Sequence, residues 1–320
     1  MKRYLALLTL TLVLLTGCGN KSERQFKKAV RYNAVGDTTA ALRLYNNILR
    51  DEPDYFPALL NRAIFNETIG EFKQAEADYK RAYSIDPSSP ELLNNMGAFY
   101  TAQKQPYLAL VYLNRAIAIN QDYYLAYVNR AAAYSAIRDY DEALADLNEA
   151  ISIYPETLLA IEQRAVLNLR RLRPLEAIED FNRLIHFSPY EAKHYYYRGL
   201  ALKSSGRYGN ALQDFDTAVR LNPRYVDALY QRAVMHFKNV DHYSALGDLN
   251  TLKTINNKYV PAYELSGDIL AIEDPVAATQ NYLAARRLDP DNSRRYNAKI
   301  ALMRTGAGRE RVIERTFWES

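Results

Sequence analysis

Small residues recur in this chain at a fixed interval of 34 positions. The first series with this period is Ala29, Ala63, Gly97, Ala131, Ala165, Gly199, Ala233 and Gly267. The second series is Ala41, Ala75, Ala109, Ala143, Ala177, Ala211 and Ala245. Because both series keep one register through most of the 320 residues, they predict one repeated structural unit rather than the two globular domains that length alone suggests.

Each repeat has the pattern of two helices joined by a short turn. Apolar residues return at helical spacing, as Ala143, Leu147 and Ala150 illustrate. Helix breakers separate the two halves at Gly36, Gly70, Pro106, Pro174, Gly206 and Pro275. A single helix pair cannot bury both of its apolar faces, so the repeats must stack on one another. The pattern therefore predicts an all-α fold.

Two segments, "AIFNETIGEFKQAEADYKRAYSIDP" (63–87) and "AAAYSAIRDYDEALADLNEAISIYP" (131–155), resemble the tetratricopeptide repeat. The resemblance implies a right-handed superhelical α-solenoid of about eight helix pairs over 22–292, with repeats beginning near residues 22, 56, 90, 124, 158, 192, 226 and 260. We expect a capping helix over 293–305 and a basic, aromatic tail over 306–320. Ser22 and Gln25 predict a capping box at the first helix.

The N-terminus has the layout of a secretory signal. Lys2 and Arg3 precede an apolar run from Tyr4 to Leu15, which is shorter than the roughly 20 residues that a spanning helix needs. The segment 15–18 (LTGC) resembles the lipobox of a bacterial lipoprotein. That resemblance implies a signal peptide at 1–17, lipidation of Cys18 and a short linker at 18–21. The alternative is an uncleaved apolar N-terminus with an incidental cysteine.

The lipobox resemblance also carries expectations about location. A lipidated Cys18 would anchor the chain in the bacterial cell envelope by its acyl chains. Gly19 stands where some inner-membrane lipoproteins of this kind have Asp, which favours the outer membrane facing the periplasm, with the cell surface as the alternative. Since Cys18 is the only cysteine, packing rather than disulfides must hold the exported chain together.

Charge and motifs argue against nucleic-acid binding and against catalysis. Without Lys2 and Arg3, the basic side chains exceed the 37 acidic ones by two, so the chain is nearly neutral. None of His186, His194, His236 and His242 has metal-ligand spacing to a Glu or Cys, and no nucleophile elbow or phosphate loop is present. We therefore predict a non-enzyme with no metal and no cofactor other than the covalent lipid; an unrecognised catalytic site is the alternative.

The first helices of tetratricopeptide repeats line the inner face of the solenoid, and ligands usually lie across that face. By this resemblance the partner-binding groove in the sixth and seventh repeats consists of Lys193, Tyr196, Leu200, Lys203, Asp227, Tyr230, Val234, Phe237 and Lys238. Aromatic side chains among lysines suit a peptide segment that carries acidic residues. In the alternative interpretation, these aromatics fill the solenoid interior and bind nothing.

A second regularity concerns an arginine and an aspartate sixteen residues apart. Five repeats carry both residues: Arg62 and Asp78, Arg130 and Asp146, Arg164 and Asp180, Arg198 and Asp214, and Arg232 and Asp248. Three repeats carry neither. In an antiparallel hairpin the two positions come level with each other, so that the guanidinium can reach the carboxylate. We predict structural ion pairs between the two helices, not a ligand-binding row.

Together these features predict a lipid-anchored scaffold or adaptor that binds protein partners of the bacterial envelope, in assembly, secretion or peptidoglycan machinery. A structural spacer that associates with itself is the alternative. The tail offers a second surface, where Val312, Ile313, Thr316 and Phe317 would share a helical face beside Trp318. That face either folds back on the last repeat or docks onto a partner.

Overall fold

The computed structural model describes residues 20–306 and 308–312, and every regular element in these ranges is helical. The helices of the first four repeats are α1 (Lys21–Ala34), α2 (Thr38–Asp51), α3 (Phe56–Thr68), α4 (Phe72–Ile85), α5 (Pro90–Ala102), α6 (Pro106–Ile119), α7 (Tyr124–Ala136) and α8 (Tyr140–Ile153). Those of the last four repeats are α9 (Leu158–Arg170), α10 (Pro174–Phe187), α11 (Ala192–Ser204), α12 (Tyr208–Leu221), α13 (Val226–Lys238), α14 (His242–Ile255), α15 (Val260–Leu270) and α16 (Pro275–Leu288). A 3-10 turn (Pro290–Asn292) and α17 (Ser293–Leu302) follow.

The chain divides into two compact halves, one up to Ala160 and one from Ile161. In the N-terminal half, each first helix packs on the second helix of its own repeat, and α2, α4 and α6 in turn pack on the first helix of the next repeat. The continuous core of this half is built from small alanines around large side chains, among them Tyr45, Tyr79, Leu59, Leu93 and Phe99. The predicted all-α fold of stacked helix pairs is confirmed here.

The C-terminal half repeats this arrangement from α10 onward and is closed by α17, which packs on α16. The capping helix ends at Leu302, so the predicted end at residue 305 is wrong by three residues. The chain is helical again over 308–312, where Val312 is buried against Ala271, Ala278 and Tyr282. The described start of the tail thus folds back on the last repeat; Ile313, Thr316, Phe317 and Trp318 lie outside the described residues.

The 34-residue series of small residues marks the closest approach of the two helices in a repeat. A Cβ atom on Gly97 would lie 2.3 Å from the side chain of Leu113, and one on Gly199 would lie 2.7 Å from the ring of Phe215. Alanines in the same series, such as Ala63 and Ala131, are fully buried. The series is therefore a packing constraint, because a bulky residue of the second helix occupies the space that a larger side chain would need.

The turn between the two helices contains one residue in the left-handed region. Gly36, Gly70 and Gly206 hold this position with φ of 79° to 84°. In four other repeats the same position is occupied by a non-glycine residue, namely Lys104, Arg138, Leu172 and Val240, with φ of 55° to 66°. The left-handed residue ends the first helix and allows the chain to reverse.

The first helix begins differently from the prediction. Asn20 is its N-cap, and the side-chain Oδ1 accepts a hydrogen bond from the backbone N–H of Glu23 at 2.8 Å. Ser22 instead lies inside the helix, where it is buried and its hydroxyl donates to Glu52 at 2.7 Å. The predicted capping box of Ser22 and Gln25 is therefore wrong, since Ser22 packs against the end of α2 in the same repeat rather than capping the start of α1.

None of the helices in the described part of the chain combines the length and the apolar character needed to cross a bilayer. Cys18 and the apolar run before it lie outside the described residues.

Two glycines of the C-terminal half provide a matched test of the helix contact. We predict that Gly199→Ala lowers the free energy of unfolding by about 1–3 kcal/mol, because the added methyl group displaces Phe215. Gly247→Ala should raise the same quantity by about 0.5–1 kcal/mol, because that helical glycine has open space around it. Urea unfolding followed by circular dichroism measures both; equal effects of the two substitutions would contradict the packing role of the 34-residue series.

Candidate functional site

All five predicted arginine–aspartate pairs form, and each is bidentate. In the second repeat, Nε of Arg62 donates to Oδ2 of Asp78 at 2.8 Å and Nη2 donates to Oδ1 at 2.7 Å. The other four pairs have the same two bonds, at 2.6–2.9 Å: Arg130 with Asp146, Arg164 with Asp180, Arg198 with Asp214, and Arg232 with Asp248. The planar guanidinium thus joins the first helix of the repeat to the second.

A third bond connects the arginine to the preceding repeat. Nη1 of Arg62 donates to Oδ1 of Asn46 at 2.8 Å, sixteen residues earlier. The same bond joins Arg130 to Asn114 and Arg198 to Asn182, both at 2.8 Å, and Arg232 to Asp216 at 3.1 Å. Sequence reasoning missed this contact, although a signal existed, because each of the five arginines has Asn or Asp sixteen positions before it.

The environment of these pairs is that of a structural contact. The aspartate side chains are only 2–10 % exposed. Hydrogen bonds to the aspartates raise the pKa of the Arg164, Arg198 and Arg232 guanidinium groups above the ordinary value. Arg198 also lies over the ring of Tyr195, with its Cζ 5.6 Å from the ring centroid. These arginines are held between helices and are not arranged as a ligand-binding row.

Two of the three repeats without the pair fill the same place by other means. In the third repeat Tyr112 replaces the aspartate, and its ring stacks on Tyr100 with centroids 5.5 Å apart. In the eighth repeat Asn281 replaces the aspartate and accepts a hydrogen bond at 2.9 Å from Nζ of Lys253, which belongs to the preceding repeat. Burial lowers the pKa of Lys253 to about 8. The interhelical position is therefore satisfied by a neighbour in both cases.

The structure divides the nine predicted groove residues into two groups. Seven keep some exposed surface on α11 or α13: Lys193, Tyr196, Leu200, Lys203, Asp227, Tyr230 and Lys238. The assignment of Val234 and Phe237 to the groove is wrong, because each is only 2 % exposed. Phe237 stacks on His242 at the start of α14, and Val234 lies one turn earlier on the same helix. Both therefore belong to the packing inside the seventh repeat.

The two remaining groove aromatics also pack between successive repeats. The ring of Tyr196 lies 5.0 Å from that of Tyr225, which is the N-cap residue of the next repeat. Tyr230 meets the corresponding N-cap residue, Tyr259, edge to face at 5.6 Å. Burial raises the pKa of Tyr230 to about 12. Each tyrosine thus packs in a repeat junction and keeps part of its surface exposed.

Three lysines supply the positive charge of this surface. Lys193 is paired with Glu162 of the preceding repeat. Nζ of Lys203 donates to the side-chain oxygen of Gln231 at 3.3 Å. Burial, together with the nearby Lys238 ammonium, lowers the pKa of Lys203 below its ordinary value. The Lys238 charge thus acts on the half-buried Lys203, and a carboxylate from outside would relieve this repulsion.

The inner surface ends at the last repeat. Lys299 of α17 donates to both carboxylate oxygens of the buried Asp268, at 2.7 and 2.8 Å, and is 2.8 Å from Glu264. Arg295 also pairs with Glu264, at 2.7 Å. The hydroxyl of Tyr282 donates to Asp268 at 2.8 Å. Sequence reasoning missed this cluster, which is signalled by two acids four residues apart facing two cations with the same spacing.

The described residues contain no group of three or more His, Cys, Asp or Glu side chains placed to hold a metal ion. His194 is buried within the sixth repeat, and burial lowers its pKa. His236 lies 3.4 Å from Asp241. The histidines are therefore distributed through the repeats rather than gathered at one place.

Family models of the tetratricopeptide repeat match three parts of the chain. A model described as "TPR repeat" matches residues 199–240, and two models described as "Tetratricopeptide repeat" match residues 26–90 and 124–157. With the helix pairs described above, these matches identify the chain as a tetratricopeptide repeat protein. This is a scaffold and protein-binding fold. No curated protein matches the chain in sequence.

Solved structures with the same fold include those of PilW, PilF and YrrB. PilW, "widely conserved type IV pilus biogenesis factor", is 21% identical; the match covers 65% of this chain and 96% of that one, with a TM-score of 0.60. Pseudomonas aeruginosa PilF is 20% identical; the match covers 68% of this chain and 99% of PilF, with a TM-score of 0.59. YrrB, "a TPR protein with an unusual peptide-binding site", is 17% identical; the match covers 57% of this chain and 95% of YrrB, with a TM-score of 0.51. At these identities the likeness establishes the fold alone.

Proposed function

We propose that this protein is a scaffold that binds an acidic segment of a protein partner on the inner surface of α11 and α13. The observation that carries the proposal is the pair of lysines on this surface: Nζ of Lys203 donates to Gln231 at 3.3 Å, and burial together with the Lys238 charge lowers the pKa of Lys203. Within the described residues, no carboxylate lies at ion-pair distance from Lys238. A side-chain carboxylate of a bound segment would accept hydrogen bonds from both ammonium groups.

The neighbouring aromatic residues favour a peptide rather than a free small anion. Tyr196 and Tyr230 are fixed in the repeat junctions by Tyr225 and Tyr259, so that their exposed edges are rigid. Rigid tyrosines lose little conformational entropy on binding and are frequent anchors at protein interfaces. In the last repeat, Glu264 and Asp268 are already paired with Arg295 and Lys299 of α17.

The described features of proteins with the same fold are consistent with a role as a peptide-binding scaffold. YrrB is described as having a peptide-binding site, and PilW is described as a pilus biogenesis factor. We propose by analogy that the partners belong to assembly, secretion or peptidoglycan machinery of the bacterial envelope. A spacer that associates with itself is the second candidate, and it is favoured by the exposed apolar side chains Tyr107 and Val111 on α6.

We further propose that the chain is anchored to a membrane through a lipid on Cys18, with the outer membrane facing the periplasm as the preferred site. The support for this lies in the sequence alone: two cations, an apolar run and the LTGC segment before a polar stretch. A diacylated cysteine would hold the chain stably at the bilayer. The lipid is then the one covalent group that the protein carries.

The double substitution Lys203→Glu and Lys238→Glu tests the groove. We expect capture of crosslinked envelope partners to fall at least about tenfold, since two attractive contacts become repulsive. The control is Lys73→Glu with Lys104→Glu, which changes the net charge equally at exposed positions of the N-terminal half. Quantitative mass spectrometry of the captured proteins measures both. Partners retained equally by the two double variants would reject the groove.

The substitution Cys18→Ala tests the anchor. Without the acyl acceptor, the chain should remain an uncleaved precursor or leave the membrane fraction. Intact-mass measurement of the unsubstituted protein, purified from membranes, should give a chain that begins at Cys18 and carries diacylglycerol. A mass without the lipid, or a chain that still begins at Met1, would contradict the anchor while leaving the groove untouched.

A further inference from the structure

The turns between the two helices of repeats five, six and seven carry large apolar side chains that point into solvent. Leu172 is 80 % exposed, Leu175 is 59 %, Tyr208 is 52 %, Val240 is 72 % and Tyr243 is 90 %. We call these five residues the apolar tips. All of them lie in the C-terminal half, and none belongs to the inner surface of α11 and α13. Several large exposed apolar side chains on neighbouring turns are more than the single scattered ones that are normal on a protein surface.

Two of the apolar tips occupy strained backbone positions. Leu172 has φ of 55° and Val240 has φ of 60°, in the place where three repeats have glycine and two have the charged residues Lys104 and Arg138. A branched side chain such as valine is especially unfavourable in the left-handed region. A glycine would serve the turn better, and these exposed side chains add little to the packing of the core. The sequence therefore retains apolar groups at a cost to folding, which indicates a use outside the fold.

Positive charge surrounds the tips of repeats five and six. Arg170 and Arg173 flank Leu172, and Arg207 precedes Tyr208; all three arginines are exposed. The nearest acids on these turns are Glu176, in the first turn of α10, and Asp241, whose carboxylate already caps α14 through the backbone N–H of Ser244. His242 is the remaining titratable group on the turn of repeat seven, and it stacks on Phe237. The edge as a whole is cationic.

The tips form an edge rather than a pocket. Helices α10 and α11 pack together, as do α12 and α13, so the 34-residue register places the three turns along one side. Separate projecting side chains do not provide the concave packing that anchors a protein partner. They suit the surface of a lipid bilayer. Leucine and valine would insert into its apolar layer, tyrosine would lie at the depth of the headgroups, and arginine would contact the phosphates.

We propose that this edge of the C-terminal half docks on an anionic lipid surface through the apolar tips and the arginines beside them. The surface ends at repeat eight, where Ile272 and Val276 are exposed but stand beside Glu273 and Asp274. The contact is independent of the lipid proposed on Cys18 and of the groove, since it uses different residues. It would leave the inner surface of α11 and α13 free for a partner.

The experiment uses protein without residues 1–18, which keeps every described residue and removes any contribution from the anchor. Sedimentation with vesicles of phosphatidylglycerol and phosphatidylcholine measures the partition of the protein, and vesicles of phosphatidylcholine alone provide the comparison. We expect binding to the anionic vesicles only, weakened by added salt. Failure to bind anionic vesicles, or equal binding to both kinds, would overturn the proposal.

The double substitution Leu172→Gly and Val240→Gly separates the tips from the fold. Glycine relieves the backbone strain at both positions, so the melting temperature should stay the same or rise. Partition onto anionic vesicles should nevertheless fall about tenfold, because two inserted side chains are lost. Unchanged partition would overturn the proposal. The groove variant with Lys203→Glu and Lys238→Glu should still bind, because Arg170, Arg173 and Arg207 remain.

Lys104→Gly with Arg138→Gly is the matched control, because it relieves the same strain without removing an apolar group. It should leave vesicle binding within about twofold of the unsubstituted protein. Light scattering on the same samples tests the alternative that the apolar tips bind a second copy of the chain. A concentration-dependent dimer that the double glycine variant loses, without vesicle binding by the unsubstituted protein, would overturn the lipid assignment in favour of self-association.

Discussion

In five of the repeats, the bidentate arginine on the first helix is the contact on which the rest of the repeat depends. Its Nε and Nη2 fix the second helix of the same repeat, and Nη1 of Arg62, Arg130, Arg198 and Arg232 reaches back to the preceding repeat. One side chain therefore joins the two helices of a hairpin and also ties that hairpin to the preceding one. The buried aspartate makes the contact obligatory, because an unpaired carboxylate in that position would be costly.

The sequence was sufficient for the parts of the structure that repeat. A small residue opposite a bulky one, and an arginine level with an aspartate, recur at one spacing, so the pairing geometry follows from the hairpin alone. The bond from Arg62 to Asn46 was missed because it joins different repeats, and within-hairpin reasoning does not reach it. The N-terminal cap was missed because Asn20 and Ser22 are both good capping residues, and the choice depended on the contact of Ser22 with Glu52.

The groove was only partly predictable for a related reason. Register assigns a residue to the inner side of a helix, but exposure depends on which neighbours cover it. Phe237 has a position typical of the inner face, yet its ring stacks on His242 of the next helix and is buried. Lys203 remains accessible because a long side chain can lie along apolar surface and still present its charge. The resulting division places structural arginines between helices, lysines and tyrosine edges on the inner surface, and apolar tips on the turns.

Unfolding free energies of aspartate variants test the structural role of the arginines most directly. Asp214→Ala should cost about 3 kcal/mol or more, because it strands Arg198 in a largely buried place. Asp54→Ala, which removes the exposed partner of Arg81, should cost less than about 1 kcal/mol. Arg198→Met combined with Asp214→Leu should recover most of the loss. If Asp214→Ala costs no more than Asp54→Ala, the arginines do not hold the repeats together.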